Sequence, residues 1–262
     1  MFHQGINAGF GEIIPTDRLH GMRDIGCTLV RSDLGPPGYE QEMLIQQLKY
    51  NSGMEPLFIV RNQQHVDALP DNSWIELGNE PNLWDASLDR AISPWEYVEY
   101  YSPIREAALD RGMRVFVGSL SLISDESLEY LDTILGEWLD VEDVSMHRYP
   151  YKIDQRPSRS PFGSREKEME AFRGVLNGRR FMITEFGIRS VARTWSWNPF
   201  GFVRVTEEQR LPFLKEDVNF WREQPDCDGA VVYQEWQGTE KSDLYGIRGP
   251  NWDYLPAAQL WY

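Results

Sequence analysis

Trp74-Ile75-Glu76-Leu77-Gly78-Asn79-Glu80-Pro81-Asn82 is an apolar run that stops at a glycine and passes into Asn-Glu-Pro, the form of a strand feeding a polar turn. Phe181-Met182-Ile183-Thr184-Glu185-Phe186-Gly187 has the same form, again with a Glu at the end of the strand. Outward from these two segments, apolar β-branched runs alternate with longer amphipathic stretches, the pattern of repeated βα units around a parallel sheet. Eight strands are predicted: Gly5–Gly9, Thr28–Arg31, Leu57–Arg61, Trp74–Leu77, Arg114–Val117, Asp143–His147, Phe181–Thr184 and Ala230–Gln234. On that count the two quoted segments are the fourth and seventh strands.

Helices are predicted over Tyr39–Tyr50, Pro94–Arg111, Glu126–Leu139, Arg165–Leu176 and Glu207–Glu223, with shorter ones at Asp17–Ile25, Gln63–Leu69 and Pro256–Trp261. Ser93-Pro94-Trp95-Glu96 combines a capping Ser, a first-turn Pro and a capping-box Glu, and Thr206 with Glu208 does similar work. The length of 262 residues matches the roughly 250 of a (β/α)8 barrel, and no repeat, low-complexity tract or linker divides it. The expectation is an α/β chain folded as a single (β/α)8 TIM-barrel domain spanning residues 1–262. Two long irregular segments, Pro150–Gly163 and Ser190–Val205, each follow a strand and so fall on the C-terminal face, where barrels build active sites.

Glu80 and Glu185 carry the chemistry. Hydrolysis of a glycosidic bond with retention needs two carboxyl groups about 5–5.5 Å apart, one ionised to attack the anomeric carbon and one protonated to donate to the leaving oxygen. Side chains at the ends of non-adjacent strands converge across a barrel mouth to such a separation. The charge of one carboxylate raises the pKa of the other, so Glu80 is expected to stay protonated until Glu185 has become an ester.

With Asn-Glu on the fourth strand and Glu on the seventh, the chain resembles clan A of the glycoside hydrolases, retaining enzymes on a (β/α)8 barrel. The resemblance implies Glu80 as acid/base and Glu185 as nucleophile. Arg31, in Leu29-Val30-Arg31-Ser32-Asp33, matches the clan's Arg that orients the nucleophile and keeps it ionised; Asn79 matches the Asn that bonds the sugar 2-hydroxyl. His147 and Tyr149, in Ser145-Met146-His147-Arg148-Tyr149-Pro150, match a His and a Tyr whose hydroxyl donates to the nucleophile. Trp236, in Val232-Tyr233-Gln234-Glu235-Trp236-Gln237-Gly238, is similar to the clan's sugar platform, with Glu235 left to substrate binding or structure. Trp84, Trp195 and Trp197 lie on loops that could line further subsites.

One departure is Val60-Arg61-Asn62-Gln63, where many members place a His or an aromatic: Arg61 or Asn62 is then expected to meet substrate, and a carboxylate-bearing sugar is one candidate. The elements look nearest to family 39-like or family 5-like members acting on β-linked glycans, and no cofactor is implied. The same motifs fit two other readings, an inactive carbohydrate-binding barrel and a transglycosylase on the same frame.

Composition narrows the field. A formal charge of −15 and a pI near 4.7 argue against nucleic acid or an anionic membrane as partner. Ten Trp and 13% aromatic residues exceed what a core demands and suit a sugar-binding cleft. The four His are scattered as His3, His20, His65 and His147, a poor metal set, and a serine elbow, a dinucleotide fingerprint and a P-loop are all absent from the sequence. Cys27 and Cys227 are expected to be free thiols. The expectation is a soluble monomer acting on an oligo- or polysaccharide, its compartment open and secretion requiring a leader not seen here.

Overall fold

The computed structural model of the chain describes residues 1–121, 123–149, 162–187, 191–193, 202–204 and 207–233. In chain order the elements are β1 His3–Phe10, α1 Thr16–Asp24, β2 Leu29–Asp33, α2 Tyr39–Gln46, β3 Glu55–Val60, α3 Gln63–Ala68, β4 Trp74–Leu77, α4 Pro94–Asp110, β5 Arg114–Leu120, α5 Asp125–Glu137, β6 Asp143–Arg148, α6 Arg165–Leu176, β7 Arg180–Phe186, β8 Val191–Arg193, β9 Phe202–Arg204, α7 Glu207–Arg222 and β10 Cys227–Val232. Strands β1 to β7 and β10 pair in parallel and close on themselves, so the fold is the expected (β/α)8 barrel. All eight barrel strands fall where the alternation predicts them, most of them longer by one to three residues.

The packing follows from the two-residue period of a strand. On β4, Ile75 and Leu77 face outward into the large apolar layer shared with the helices, while Trp74 packs inward with Leu29, Leu57, Phe116, Met182 and Val231. That inward set is a dry plug low in the barrel. Beneath it, Arg114 lies 4.5 Å from the Trp74 ring and pairs with Asp143 and Asp228, closing the N-terminal end. Above the plug the inward positions turn polar: Arg31, Glu76 and Thr184 are fully buried.

Helix starts behave as their sequences dictate. Ser93 accepts the Glu96 N–H and Glu96 accepts the Ser93 N–H at 2.8 Å, completing the predicted capping box, while Thr206 lies outside the described residues. Ser124 and Ser164 cap α5 and α6 more simply, their hydroxyls accepting the N–H of Ser127 and Lys167. The helix expected over Tyr39–Tyr50 instead ends at Gln46 and continues as a π-turn over Gln47–Asn51. The cause is local: the Gln47 amide is bonded to both backbone groups of Ile14, and the Ser52 hydroxyl donates to Leu48 O at 2.6 Å, which together widen the last turn. Within the segment read as irregular, β8 and β9 pair antiparallel; three-residue strands are too short for alternation to be legible. The Pro256–Trp261 helix lies outside the described residues. Cys27 and Cys227 are free and buried, and among the described residues no helix is long and apolar enough to cross a membrane.

The outer layer holds one buried ionic network. Arg148, on the outward face of β6, donates to Glu168 of α6 and Asp217 of α7, both at 2.7 Å, and Arg165 reaches Asp217 at 3.1 Å. Removing the cation would leave two buried carboxylates without their main partner. Arg148→Met should therefore cost about 3–5 kcal/mol in urea denaturation, with part recovered by adding Asp217→Asn. A loss under about 1 kcal/mol, as for an exposed pair, would contradict this account.

Candidate active site

Arg31 organises the polar layer at the barrel mouth. Its Nη1 donates to Glu185 Oε1 at 2.5 Å, its Nε to Glu76 Oε2 at 2.6 Å and its Nη2 to Asn79 Oδ1 at 2.6 Å. Glu76 is completed by the Thr184 hydroxyl at 2.5 Å. Burial alone would lower the Arg31 pKa, but the two carboxylates outweigh it and hold the guanidinium charged. Glu185 is thus gripped from one side by Arg31 and from the other by the Tyr149 hydroxyl, which donates to Oε2 at 2.5 Å. Asn7 on β1 adds a longer contact to Oε1, at 3.5 Å.

Irregular backbone aims these groups. Between β6 and β7 the register slips at Met146/His147, so that Met146 faces Ile183 and His147 faces Glu185. Thr184 is the extra residue, and the bulge lets consecutive side chains, Thr184 and Glu185, both reach the barrel axis. After β4 the chain turns through two left-handed residues, Gly78 at φ 75° and Glu80 at φ 50°. A Cβ at Gly78 would lie 2.9 Å from the Tyr101 hydroxyl, so the turn requires glycine. The Glu80 N–H donates to the carbonyl of Ser119, which is itself left-handed at φ 47° on a bulge of β5. Strain at both residues sits beside the carboxylate it positions.

His147 joins the two carboxylates. Its Nδ1 lies 3.0 Å from Glu80 Oε1 and 3.5 Å from Glu185 Oε2, and its Nε2 lies 3.3 Å from the Ser119 hydroxyl. One oxygen from each Glu and one nitrogen of His147 all fall within 4.8 Å of one another. Burial pulls the His147 pKa down, yet the charge of Glu185 and the bond to Glu80 more than offset it, and the net shift is upward. For Glu80, burial raises the pKa but the hydrogen bond and charge of His147, helped by Arg31, bring it below the ordinary value. Both directions favour a charged imidazole beside a Glu80 carboxylate over the neutral Glu80 acid expected from two carboxylates alone.

Of the residues singled out by sequence, Arg31, Asn79, Glu80, His147, Tyr149 and Glu185 form one bonded group. Asn62 stands apart from it, its side-chain oxygen accepting the His65 N–H at 3.0 Å as the N-cap of α3. Trp84 follows Glu80 in the turn and is 54% exposed. Trp195, Trp197, Glu235 and Trp236 lie outside the described residues. Sequence reasoning passed over Glu76, Asn7, Ser119 and Thr184. The signal for Glu76 was available: a carboxylate in the inward phase of a strand that otherwise alternates Trp, Ile and Leu.

Glu80, His147 and Glu185 are also close enough for each to offer a donor to one metal ion. Against that use, Glu185 already has a hydrogen bond on each oxygen, and a divalent cation would sit beside Arg31. The donor set fits a proton relay better than a metal centre.

No family model matches the sequence, and no curated protein matches it. Solved structures do match over its whole length. A GH128 (subgroup II) endo-β-1,3-glucanase from Sorangium cellulosum superimposes with a TM-score of 0.70 at 11% identity, covering 99% of this chain and 97% of that one. A GH128 (subgroup I) endo-β-1,3-glucanase from Amycolatopsis mediterranei, crystallised with laminarihexaose, gives 0.68 at 12% identity, covering 100% and 98%. A GH2 β-galacturonidase from Eisenbergiella tayi gives 0.63 at 17% identity, covering 99% of this chain but 50% of that one. Identities this low establish a shared fold. None of these neighbours is of family 39 or family 5, so the likeness lends that expectation nothing.

Two measurements probe the site. If Glu80 acts as an acid fed by His147, whose pKa is raised above its ordinary value, activity will persist above pH 6.5 and fall as pH rises through the His147 pKa. In His147→Asn the alkaline limb should move toward acid pH, and an unmoved limb would remove His147 from the relay. Glu76→Gln, nearly isosteric, withdraws one of the charges on Arg31 and should lower kcat about 10- to 100-fold with little change in KM.

Proposed function

We propose that this protein is a retaining glycoside hydrolase that cleaves β-glycosidic bonds of an oligo- or polysaccharide, with Glu185 as nucleophile and Glu80 as acid/base. The observation that carries the proposal is the approach of a Glu80 oxygen and a Glu185 oxygen to within 4.8 Å across the barrel mouth. Retaining enzymes hold their carboxyl groups about 5–5.5 Å apart, whereas inverting enzymes leave roughly 6.5–9.5 Å for a water. The closer spacing leaves room for direct attack on the anomeric carbon.

The roles follow from the bonds each group makes. Glu185, with a guanidinium donating to one oxygen and a phenol to the other, is oriented for attack. As the new C–O bond forms, the bond to the leaving oxygen breaks, and that oxygen takes a proton that His147 passes through Glu80 across 3.0 Å, leaving a neutral imidazole and a Glu80 carboxylate. In the second half, water attacks the same carbon, gives its proton to Glu80 and releases Glu185. Arg31 fixes the Asn79 carbonyl oxygen, which leaves the amide N–H groups to bond a sugar hydroxyl near the reacting carbon.

Structural neighbours supply the substrate class to try first. Several are endo-β-1,3-glucanases crystallised with laminari-oligosaccharides, and β-1,3-glucan is accordingly the first substrate proposed here. Wild type should release reducing ends from a β-linked glucan, and Glu185→Ala should release none. Glu80→Ala should be rescued by azide on activated aryl glycosides and yield a β-glycosyl azide; an azide of inverted configuration would overturn the assignment. Exhaustive chelation should leave the rate unchanged.

A further inference from the structure

Above the ends of β2 and β3, on the same face of the barrel as Glu80 and Glu185, lies a second polar pocket of about 370 Å³ lined by Asp33, Arg61, Asn62, His65, Ser87 and Tyr100. Asp33 stands two residues beyond Arg31 on β2, and Arg61 two beyond Ile59, the Cα partner of Asp33 on β3. A strand's period of two puts Asp33 on the inward side, about 6.6 Å further up β2 than Arg31, and Arg61 follows directly on the last residue of β3. A glycan crossing the mouth from the cleaved bond toward β2 and β3 would meet this pair next.

The pair is held in advance. Arg61 Nη2 lies 2.5 Å from Asp33 Oδ2, while Asp33 Oδ1 accepts the Gly35 N–H at 3.2 Å. The Arg61 carbonyl accepts the Ser87 hydroxyl at 3.1 Å and the Tyr100 hydroxyl at 3.0 Å, and its N–H donates to His65 Nδ1 at 3.4 Å. Both side chains are partly exposed, near one fifth, and both line the pocket, while Arg61 Nε is buried with no hydrogen-bond partner among the described residues. We infer that this pocket is a subsite for a neutral pyranose unit of the glycan, held through its hydroxyls by the Asp33–Arg61 pair. The inference rests on the glycosidase reading above and extends it to a subsite away from the cleaved bond.

The charge balance selects the ligand. A sugar hydroxyl both donates and accepts, so it can give its hydrogen to Asp33 and take one from Arg61. A uronic-acid carboxylate would find the Arg61 charge already matched and would be repelled by Asp33. His65 offers no spare cation, since its Nδ1 accepts a backbone N–H and burial lowers its pKa. On this proposal the pocket takes a neutral sugar in place of the carboxylate-bearing substrate expected from Arg61 in the sequence.

The test is calorimetric titration of Glu185→Ala protein, which cannot turn over, with two-unit and five-unit oligosaccharides of β-1,3-glucan, β-1,4-glucan, xylan and mannan, and with a uronic-acid oligomer. The parent should bind a neutral five-unit chain more tightly than its two-unit counterpart. Arg61→Met and Asp33→Asn, each added to the parent and checked by melting temperature, should each weaken the longer chain about tenfold or more and largely erase its advantage. The nearly isosteric Asp33→Asn keeps the test valid should Arg61→Met fold poorly. If the length advantage survives both substitutions, the subsite is wrong while the hydrolase reading stands. Preference for the uronic-acid oligomer would overturn the neutral ligand, and failure of the parent to bind any glycan would overturn both readings.

Discussion

A fully buried guanidinium is tolerable only where carboxylates meet it, and Arg31 is such a group, with Glu76 on β4 and Glu185 on β7 as its partners. The two acids come from opposite parts of the ring of strands, so this cation can be satisfied only when the barrel has closed. The dependence runs the other way as well. Three carboxylates, Glu76, Glu80 and Glu185, share one mouth, and without Arg31 and His147 they would repel each other in a poorly solvated place. Closure of the fold and assembly of the site are therefore one electrostatic condition.

Regular strands alone could not meet that condition. A period of two offers one inward side chain per two residues, and the site requires Thr184 and Glu185 together, and Glu80 beyond the end of β4. The bulge at β7 and the left-handed residues Gly78, Glu80 and Ser119 supply the extra reach. Non-glycine residues in that conformation cost of order 1–3 kcal/mol each, so the surrounding packing has to impose them. Here the Glu80 N–H to Ser119 carbonyl bond ties the two strained residues to each other, so each restrains its neighbour.

This division also explains what could be read from the chain before folding. The barrel was legible because its signal is periodic: every barrel strand has its apolar outward phase, and β4 and β7 fell in the right ordinal places. Arg31, Glu80, His147, Tyr149 and Glu185 were legible because they lie at strand ends within recognisable motifs. The pairings were not. That Arg61 is matched by Asp33, or Arg31 by Glu76, depends on which strands lie side by side and on the phase of each, and no local pattern records either. The π-turn after α2 was hidden for the same reason, since its cause is a Gln47 contact with Ile14, far back in the sequence.

The same long-range pairing changes the account of the acid. A buried carboxyl facing another carboxylate should keep its proton, and two Glu residues considered in isolation lead to that conclusion. His147 alters the balance, because a positive charge between two negative ones is favoured over a neutral acid beside an anion. In the proposed mechanism Glu80 is then the conduit through which a proton from the imidazole reaches the leaving oxygen. The arrangement has a further consequence for the second step. On the proposed double displacement, once Glu185 is esterified its charge is gone, and with that repulsion removed the Glu80 carboxylate is favoured over the neutral acid and is available to take the proton of the attacking water.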